Sequence, residues 1–336
     1  MDYVRLGQSG LSVSQICLGT MMFGGRTSEA DSAAIIAHAR DAGVNFIDTA
    51  DAYGNGESER VVGRAIKPDR DRWVLASKVA NSIGRGGPNN GGLGRKWVLQ
   101  ACADSLSRLG TDYLDIYYLH KEDLATPLEE TAAALQQLLA QGKIRYFGIS
   151  NFRAWRLAEL CRICDRLGMP RPLVSQPYYN ALNRMPEVEH LPACRHYGLG
   201  VVPYSPLARG VLTAKYAPGA EPPEGTRAAV KDKRMLQTEW RPESLAIAQT
   251  IRAAAEQRGI TAGQFALAWV LNNAIVSSVI AGPRTMEQWL AYMAGLNYRF
   301  TAEDEALVDR LVATGHPSTP GYNDPAYPIE GRLPRT

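Results

Sequence analysis

Asp48, Tyr53, Lys78 and His120 are four side chains whose types make a chemical set. A phenol has a pKa of about 10 and is a weak acid at neutral pH. A neighbouring ammonium stabilises the phenolate and lowers that value, and a carboxylate beside the ammonium keeps it charged and in place. A histidine can donate a hydrogen bond to a carbonyl oxygen. Such a group can protonate the oxyanion that forms when hydride reaches a carbonyl carbon, and in reverse it can deprotonate an alcohol. The chemistry requires no metal. It does require a hydride source, and since no side chain supplies hydride, an organic cofactor must.

For these side chains to meet, the chain must place them at the ends of separate strands. The stretch from Phe46 to Gly56 reads Phe-Ile-Asp-Thr-Ala-Asp-Ala-Tyr-Gly-Asn-Gly, an apolar run that passes at once into acids, a tyrosine and glycines. That is how a core strand ending in a loop reads. Taken alone it reads equally well as an ordinary turn, because Asp, Asn and Gly are the usual turn residues. The surrounding pattern decides. Residues 4–16 form two short alternating runs around Gly7-Gln8-Ser9-Gly10, a β-hairpin. After it, strands and helices alternate. The expected strands are Ile16–Thr20, the one opening at Phe46, Trp73–Lys78, Tyr113–His120, Ile144–Ser150, Leu173–Gln176, Gly200–Tyr204 and Val276–Ala281. Helices are expected from a capping pattern Ser28-x-x-Asp31 to Gly43, over Glu57–Ile66, and from about Leu99 to Gly110. Others are expected over Leu128–Ala140, Trp155–Leu167, Pro186–Tyr197, Pro242–Gly259, Thr261–Asn272, Thr285–Leu296 and Glu303–Thr314. Residues 206–240 read as a long Pro- and Gly-containing excursion, of a length that is usually functional.

Eight strand–helix units point to the α/β class and a (β/α)8 barrel, with the N-terminal β-hairpin and an extra C-terminal helix outside the repeat. An open doubly wound sheet is the competing architecture, but it would carry a G-x-G-x-x-G turn at a switch point and none is present. The glycine-rich loop Gly84–Gly94 lacks the closing Gly-Lys-Ser/Thr of a phosphate loop. The 336 residues fit two average domains or one large barrel, and the unbroken repeat favours a single domain over 1–336, with substrate loops at 21–26, 79–96, 206–240 and 316–336.

Composition narrows the function. Hydrophobic residues make up 45% and charged residues 21%, as in ordinary globular proteins. A net charge of +3 makes no case for nucleic acid or an anionic membrane. No run of 18 apolar residues is present, and the N-terminus is not a signal peptide. Five cysteines, odd in number and sparse, suggest a reducing compartment, so a cytoplasmic location is expected. Cys161 and Cys164 form a C-x-x-C inside a helical pattern, where a core role outweighs a redox or metal one. His38, His190, His196 and His316 have no metal-ligand spacing.

In a barrel, the C-terminal strand ends collect in one mouth. Here they read Asp48 with Tyr53, Lys78, His120, Ser150-Asn151, Gln176, Tyr204-Ser205 and Gly282-Pro283-Arg284. Ordinary polar strand ends explain any one of these but not the whole set. The motifs Asp48-Thr-Ala-Asp-Ala-Tyr53-Gly, Ser77-Lys78, Tyr118-Leu-His120, Gly148-Ile-Ser-Asn151, Tyr204-Ser-Pro-Leu207 and Ala281-Gly-Pro-Arg284-Thr, in this order, resemble an aldo-keto reductase over nearly the whole chain. The resemblance implies a barrel that binds NADPH in extended form. It implies Tyr53 as general acid/base, Lys78 as its pKa partner, Asp48 as the partner of Lys78, and His120 as the donor that orients the carbonyl. By the same resemblance, Ser150, Asn151 and Gln176 hold the nicotinamide carboxamide and Tyr204 stacks on the ring. Ser205, Leu207, Gly210 and Lys215 lie along the pyrophosphate. Gly282, Arg284 and Gln288 complete the cofactor set, with Arg284 on the 2′-phosphate. Family members often carry a Glu-Asn pair at the adenine end, where this chain has Ala291 and Tyr292, so NADH/NAD+ stays open beside NADPH/NADP+.

The loop Gly84–Lys96 and the tail motif Gly321-Tyr-Asn-Asp-Pro are similar to the bacterial sugar- and aldehyde-acting branch. Phe23, Trp240 and Tyr322 are candidates to wall a pocket or, equally, to pack loops. Three functions follow from the resemblance: an NADPH-dependent reductase of aldehydes or ketones, an NAD(P)+-dependent alcohol or sugar dehydrogenase on the same site, and a cofactor-sensing regulatory subunit. The expected partner is a small carbonyl or alcohol substrate, with no nucleic acid or membrane and an open oligomeric state.

Overall fold

The computed structural model describes residues 1–84 and 86–329. The expected substrate loops 79–96 and 316–336 therefore extend outside the described residues at residue 85 and at residues 330–336. Two short strands open the chain, β1 (Tyr3–Arg5) and β2 (Ser12–Ser14), paired antiparallel with Val4 opposite Val13. Eight parallel strands follow: β3 (Ile16–Gly19), β4 (Phe46–Asp48), β5 (Val74–Val79), β6 (Leu114–Leu119), β7 (Ile144–Ser150), β8 (Val174–Gln176), β9 (Gly200–Val201) and β10 (Val279–Ala281). They pair in the order β10-β3-β4-β5-β6-β7-β8-β9. The ring closes where Val201 bridges Val276 in parallel and Ile280 N–H donates to Pro203 O at 3.0 Å. This is the (β/α)8 barrel expected from the repeat.

The helices are α1 (Glu29–Asp41), α2 (Glu57–Ile66), α3 (Arg95–Leu109), α4 (Leu128–Ala140), α5 (Ala154–Leu167), α6 (His190–Tyr197), α7 (Lys233–Thr238), α8 (Pro242–Gln257), α9 (Ala262–Asn272), α10 (Met286–Gly295) and α11 (Ala302–Leu311). Local chemistry sets their ends. The Ser28 hydroxyl accepts from Asp31 N–H at 3.1 Å at the start of α1, and the acids Glu29 and Asp31 in its first turn suit the helix dipole. The extra C-terminal helix α11 opens on a capping box between Thr301 and Asp304. Among the described residues, no helix is long and apolar enough to cross a membrane.

The chain divides into two compact units. The first, residues 1–178, 189–204 and 273–291, holds the hairpin and all eight barrel strands. Its core runs through Cys17, Phe46, Val74, Ala76, Ile116, Tyr118, Val174 and Ile280 and reaches Leu6 and Val13 of the hairpin. The hairpin lies against the strand starts: Gln8 N–H donates to Gly198 O at 2.9 Å, and a Cβ on Gly7 would lie 2.6 Å from Gly200 N. Only glycine fits there. Strand alternation then places the site. Side chains two apart share a face, so the core positions Phe46, Ala76, Tyr118 and Val174 carry Asp48, Lys78, His120 and Gln176 on the same side, one layer nearer the C-terminal mouth. Register staggers neighbouring strands, with Asp48 opposite Ala76 and Lys78 opposite Tyr118, while Ser150 lies opposite Gln176.

The second unit, residues 179–188, 205–272 and, among the described residues, 292–329, contains α7, α8, α9 and α11. The 206–240 excursion is more ordered than its Pro/Gly content suggests. It holds a 3-10 segment over Ala208–Thr213 and α7, whose start is capped by the Asp232 carboxylate accepting from Met235 N–H at 3.0 Å. Within this unit the tail motif is pinned to that excursion and to Arg241 just beyond it. Arg234 donates twice to Asp324, at 3.0 and 2.6 Å, and the Arg241 guanidinium stacks 3.9 Å from the Tyr322 ring centroid.

Other boundaries also moved. The helix expected over Pro186–Tyr197 is two pieces, a 3-10 turn at Met185–Glu187 and then α6. Glu189, with φ −131°, breaks the helical path between them. The strands expected at Gly200–Tyr204 and Val276–Ala281 shorten to β9 and β10, since their remaining residues pair only by single bridges.

Candidate active site

Lys78 is wholly buried on β5, and its ammonium is the hub of the site. It forms an ion pair with Asp48, donates to Thr49 O at 2.8 Å and donates to the Tyr53 hydroxyl at 3.1 Å. Its Nζ also lies 4.6 Å from the Tyr53 ring centroid. The other Asp48 oxygen accepts from Gln176 Nε2 at 3.0 Å, so the carboxylate is fixed at both ends. An ammonium has three N–H groups, and here all three are met by oxygen.

The electrostatics follow from this packing. Burial alone would drive Lys78 down, but Asp48 and then Tyr53 overcome it and hold the ammonium above its ordinary value. Burial lifts the Asp48 carboxyl, and Lys78 and Gln176 oppose the lift. Tyr53 departs from expectation. Lys78 does pull its pKa down, but burial outweighs that pull, helped by the charge of Asp48, and the phenol sits above 10.0. The result is a phenol that keeps its proton through neutral pH with a cation bonded to its oxygen.

His120, just past the end of β6, lies edge-on to Tyr53 with ring centroids 5.9 Å apart. Burial, then Lys78, then Lys121, push its pKa well below the usual histidine value, so the ring is neutral. Its Nδ1 lies 3.1 Å from Asn81 Nδ2.

Beside His120, past the end of the neighbouring strand β7, Asn151 Nδ2 donates to His120 O at 2.9 Å and to Ser150 Oγ at 3.0 Å. Ser150 Oγ donates to Gln176 O at 2.8 Å. The Tyr204 hydroxyl donates to Asn151 Oδ1 at 2.8 Å, and its ring stacks on Tyr178 with centroids 5.6 Å apart. Asn151 adopts φ +56°, in the left-handed region that asparagine tolerates better than most residues. Thus Ser150, Asn151, Gln176 and Tyr204 form one bonded set continuous with Asp48 and His120.

The remaining expected cofactor residues fall in two groups. After β10, Gly282 leads to Arg284, whose backbone is held on both sides: Arg284 N–H donates to Gln288 Oε1 at 2.8 Å, and Arg284 O accepts from Thr27 Oγ1 at 2.9 Å. Gln288 therefore shapes the start of α10 as well as being a ligand candidate. In the second unit, Ser205, Leu207, Gly210 and Lys215 lie on a stretch where Ser205, Ala208, Arg209, Gly210 and Ala214 all have positive φ. Such a run is rare outside glycine. Of the candidate wall residues, Phe23 is buried, Trp240 packs edge-on to Tyr216 with centroids 5.0 Å apart, and Tyr322 lies under Arg241. All three pack loops.

Sequence reasoning passed over two residues. Asn81 falls in the expected substrate loop 79–96, and its distance to His120 singles it out. Asp51 looked like a turn acid, yet it is fully buried and neither carboxyl oxygen has a hydrogen-bond partner. Burial first, then the nearby Glu59, push it up to about 8. The five cysteines are all free and buried, including the Cys161/Cys164 pair.

Comparison with known proteins places this arrangement. A family model described as Aldo/keto reductase family matches residues 15–313. A probable voltage-gated potassium channel subunit beta of Oryza sativa subsp. japonica is 37% identical over 302 residues, spanning 88% of this chain and 92% of its own. Versiconal hemiacetal acetate reductase of Aspergillus parasiticus is 32% identical over 329 residues, covering 90% and 95%. L-glyceraldehyde 3-phosphate reductase of Escherichia coli (strain K12) is 33% identical over 329 residues, covering 94% and 93%. With a barrel of eight parallel strands, polar side chains gathered at its strand ends and a match over most of its length, the chain belongs to the aldo/keto reductase family.

Proposed function

We propose that this protein reduces an aldehyde or ketone to an alcohol with NADPH, and that Tyr53 is the general acid. The observation that carries the reading is the Lys78 ammonium bonded at once to Asp48, Thr49 O and the Tyr53 hydroxyl, with the neutral ring of His120 beside the phenol.

The donor set fits the cofactor. Ser150, Asn151 and Gln176 bring a hydroxyl and two amides together beside the aromatic face of Tyr204, which are the groups a carboxamide on a flat ring requires. When bound, NADPH supplies the hydride that this chain lacks. Arg284 is assigned to the 2′-phosphate because a guanidinium suits phosphate geometry. On the family pattern, the stretch holding Ser205, Leu207, Gly210 and Lys215 is assigned to the pyrophosphate.

The protein's own part is proton handling. His120 and the Tyr53 hydroxyl donate hydrogen bonds to the carbonyl oxygen and orient it. As negative charge develops there, Tyr53 transfers its proton, and the ammonium of Lys78 stabilises the phenolate left behind. Asp48 and Gln176 prevent Lys78 from following the proton. General acid catalysis of this kind is worth roughly 10²–10⁴ in rate.

The test is NADPH consumption by the purified protein against aromatic aldehydes, dicarbonyls, aldoses and cyclic ketones, with NADH in parallel. Turnover with any carbonyl supports the reading. Oxidation of alcohols or sugars by NAD(P)+ without carbonyl reduction moves the assignment to the dehydrogenase direction. The similarity to a protein named as a potassium channel subunit favours a second reading, a cofactor-sensing regulatory role, which requires NADPH to bind without turnover against any of these substrates.

A further inference from the structure

We propose that Asn81 is a positioning residue that fixes the tautomer of His120, so that the ring offers an N–H to the substrate oxygen. The consequence for catalysis rests on the reductase reading above; the tautomer does not.

The argument is one of hydrogen-bond inventory. Asn81 Nδ2 is 3.1 Å from His120 Nδ1. A carboxamide nitrogen only donates, so Nδ1 accepts and the single ring proton sits on Nε2. A neutral imidazole has one N–H. With that proton on Nε2, the ring can donate to a carbonyl oxygen. With it on Nδ1, the same edge would offer a lone pair and repel the oxygen. The tautomer matters because the ring stays neutral: it faces Lys78 from β5 and Tyr53 from the turn after β4, with Lys121 next to it in the chain.

The backbone is committed to this contact. Ala80 has φ +150°, a conformation that side chains other than glycine rarely adopt. Its carbonyl accepts from Gly92 N–H at 2.9 Å, while His120 N–H donates to Val79 O at 2.8 Å. The segment carrying Asn81 is thereby tied to the strand end that carries His120.

Long-range ¹H–¹⁵N correlation spectra of labelled protein read the tautomer directly, with five histidines to assign and His120→Gln to identify the signal. The wild type is expected to show the Nε2–H pattern. Asn81→Asp replaces a donor with an acceptor, so His120 should switch to Nδ1–H at pH 8, and carbonyl reduction should fall ~10²-fold or more, as when a catalytic histidine is held in the wrong tautomer. The affinity for NADPH should not move. Asn81→Ala should cost less, about tenfold, the worth of one neutral hydrogen bond. A space-filling role would give the opposite order, because Asp is the closer match in shape. Acidification should restore Asn81→Asp, since an imidazolium donates from both nitrogens. An Nδ1–H pattern in the wild type, or Asn81→Asp milder than Asn81→Ala, would overturn the proposal. The spectra need no substrate: a wild type that shows Nε2–H but reduces nothing sinks the reductase reading and leaves the pairing intact.

Discussion

Asp51→Asn should make the protein less sensitive to rising pH, and the size of the effect can be worked from its surroundings. The carboxyl is fully buried, with neither oxygen hydrogen-bonded. The Ala52 backbone and then Arg108 oppose the rise, but Arg108 is spent on Glu59, donating to its Oε2 at 2.6 Å. Burial, and after it the charge of Glu59, therefore lift Asp51 from an ordinary 3.8 to about 8. The folded state keeps a proton that the unfolded chain releases above pH 4. A raised carboxyl pKa costs stability as pH increases from the unfolded value to the folded one, at about 1.4 kcal/mol per unit. Between pH 5 and 7 the wild type should lose roughly 3 kcal/mol through this group alone. The carboxamide of the variant cannot titrate, and any fixed cost of its extra N–H groups shifts the offset and not the slope. Urea midpoints for both proteins at pH 5, 6 and 7, converted with a common denaturant slope, should give a difference that grows in favour of the variant at each step. A difference that stays flat across this window would refute the claim that Asp51 is held protonated.

Three further outcomes are expected. Lys78→Met should leave the buried Asp48 without its partner and destabilise the fold by about 3–5 kcal/mol, visible as a lowered melting temperature; adding Asp48→Asn should recover much of that loss without restoring turnover. Gly148→Ala would place a Cβ 2.7 Å from both the Tyr118 ring and Val174 Cγ1, and overpacking this core position should cost about 1–3 kcal/mol in denaturant melts. Arg284→Ala should weaken NADPH binding at least about tenfold, the scale of a lost charge-assisted hydrogen bond, while NADH binding stays unchanged; fluorescence titration with both nucleotides checks the assignment.

Much of this architecture was legible from local pattern. The helices Glu57–Ile66 and Leu128–Ala140 and the strand Ile144–Ser150 have the boundaries expected of them. Helical spacing, a glycine stop and an apolar run bounded by turns each left a clear mark. The split at Glu189 and the ordered pieces inside 206–240 did not show. The first is a single backbone departure; in the second, α7 is capped by one carboxylate, Asp232, and the 3-10 segment over Ala208–Thr213 passes through the positive-φ residues Arg209 and Gly210. The site divides in the same way. Asp48 and Lys78 could be read as strand-end residues because alternation from Phe46 and Ala76 fixes their face. Asn81 and Asp51 could not, because an asparagine or aspartate in a loop has the same composition whether it faces solvent or a histidine. Their meaning lies in contacts across strands, as does the net rise of the Tyr53 pKa, where burial outweighs the lysine that sequence alone makes prominent.

The account stands most directly on Tyr53→Phe, which removes one hydroxyl and leaves the ring in place. Against the carbonyl that the wild type reduces fastest, turnover should fall by roughly 10³-fold, within the range for losing a general acid, while NADPH binds as before. Turnover at the wild-type rate in that variant would contradict the role given to Tyr53 and the proton path built on it.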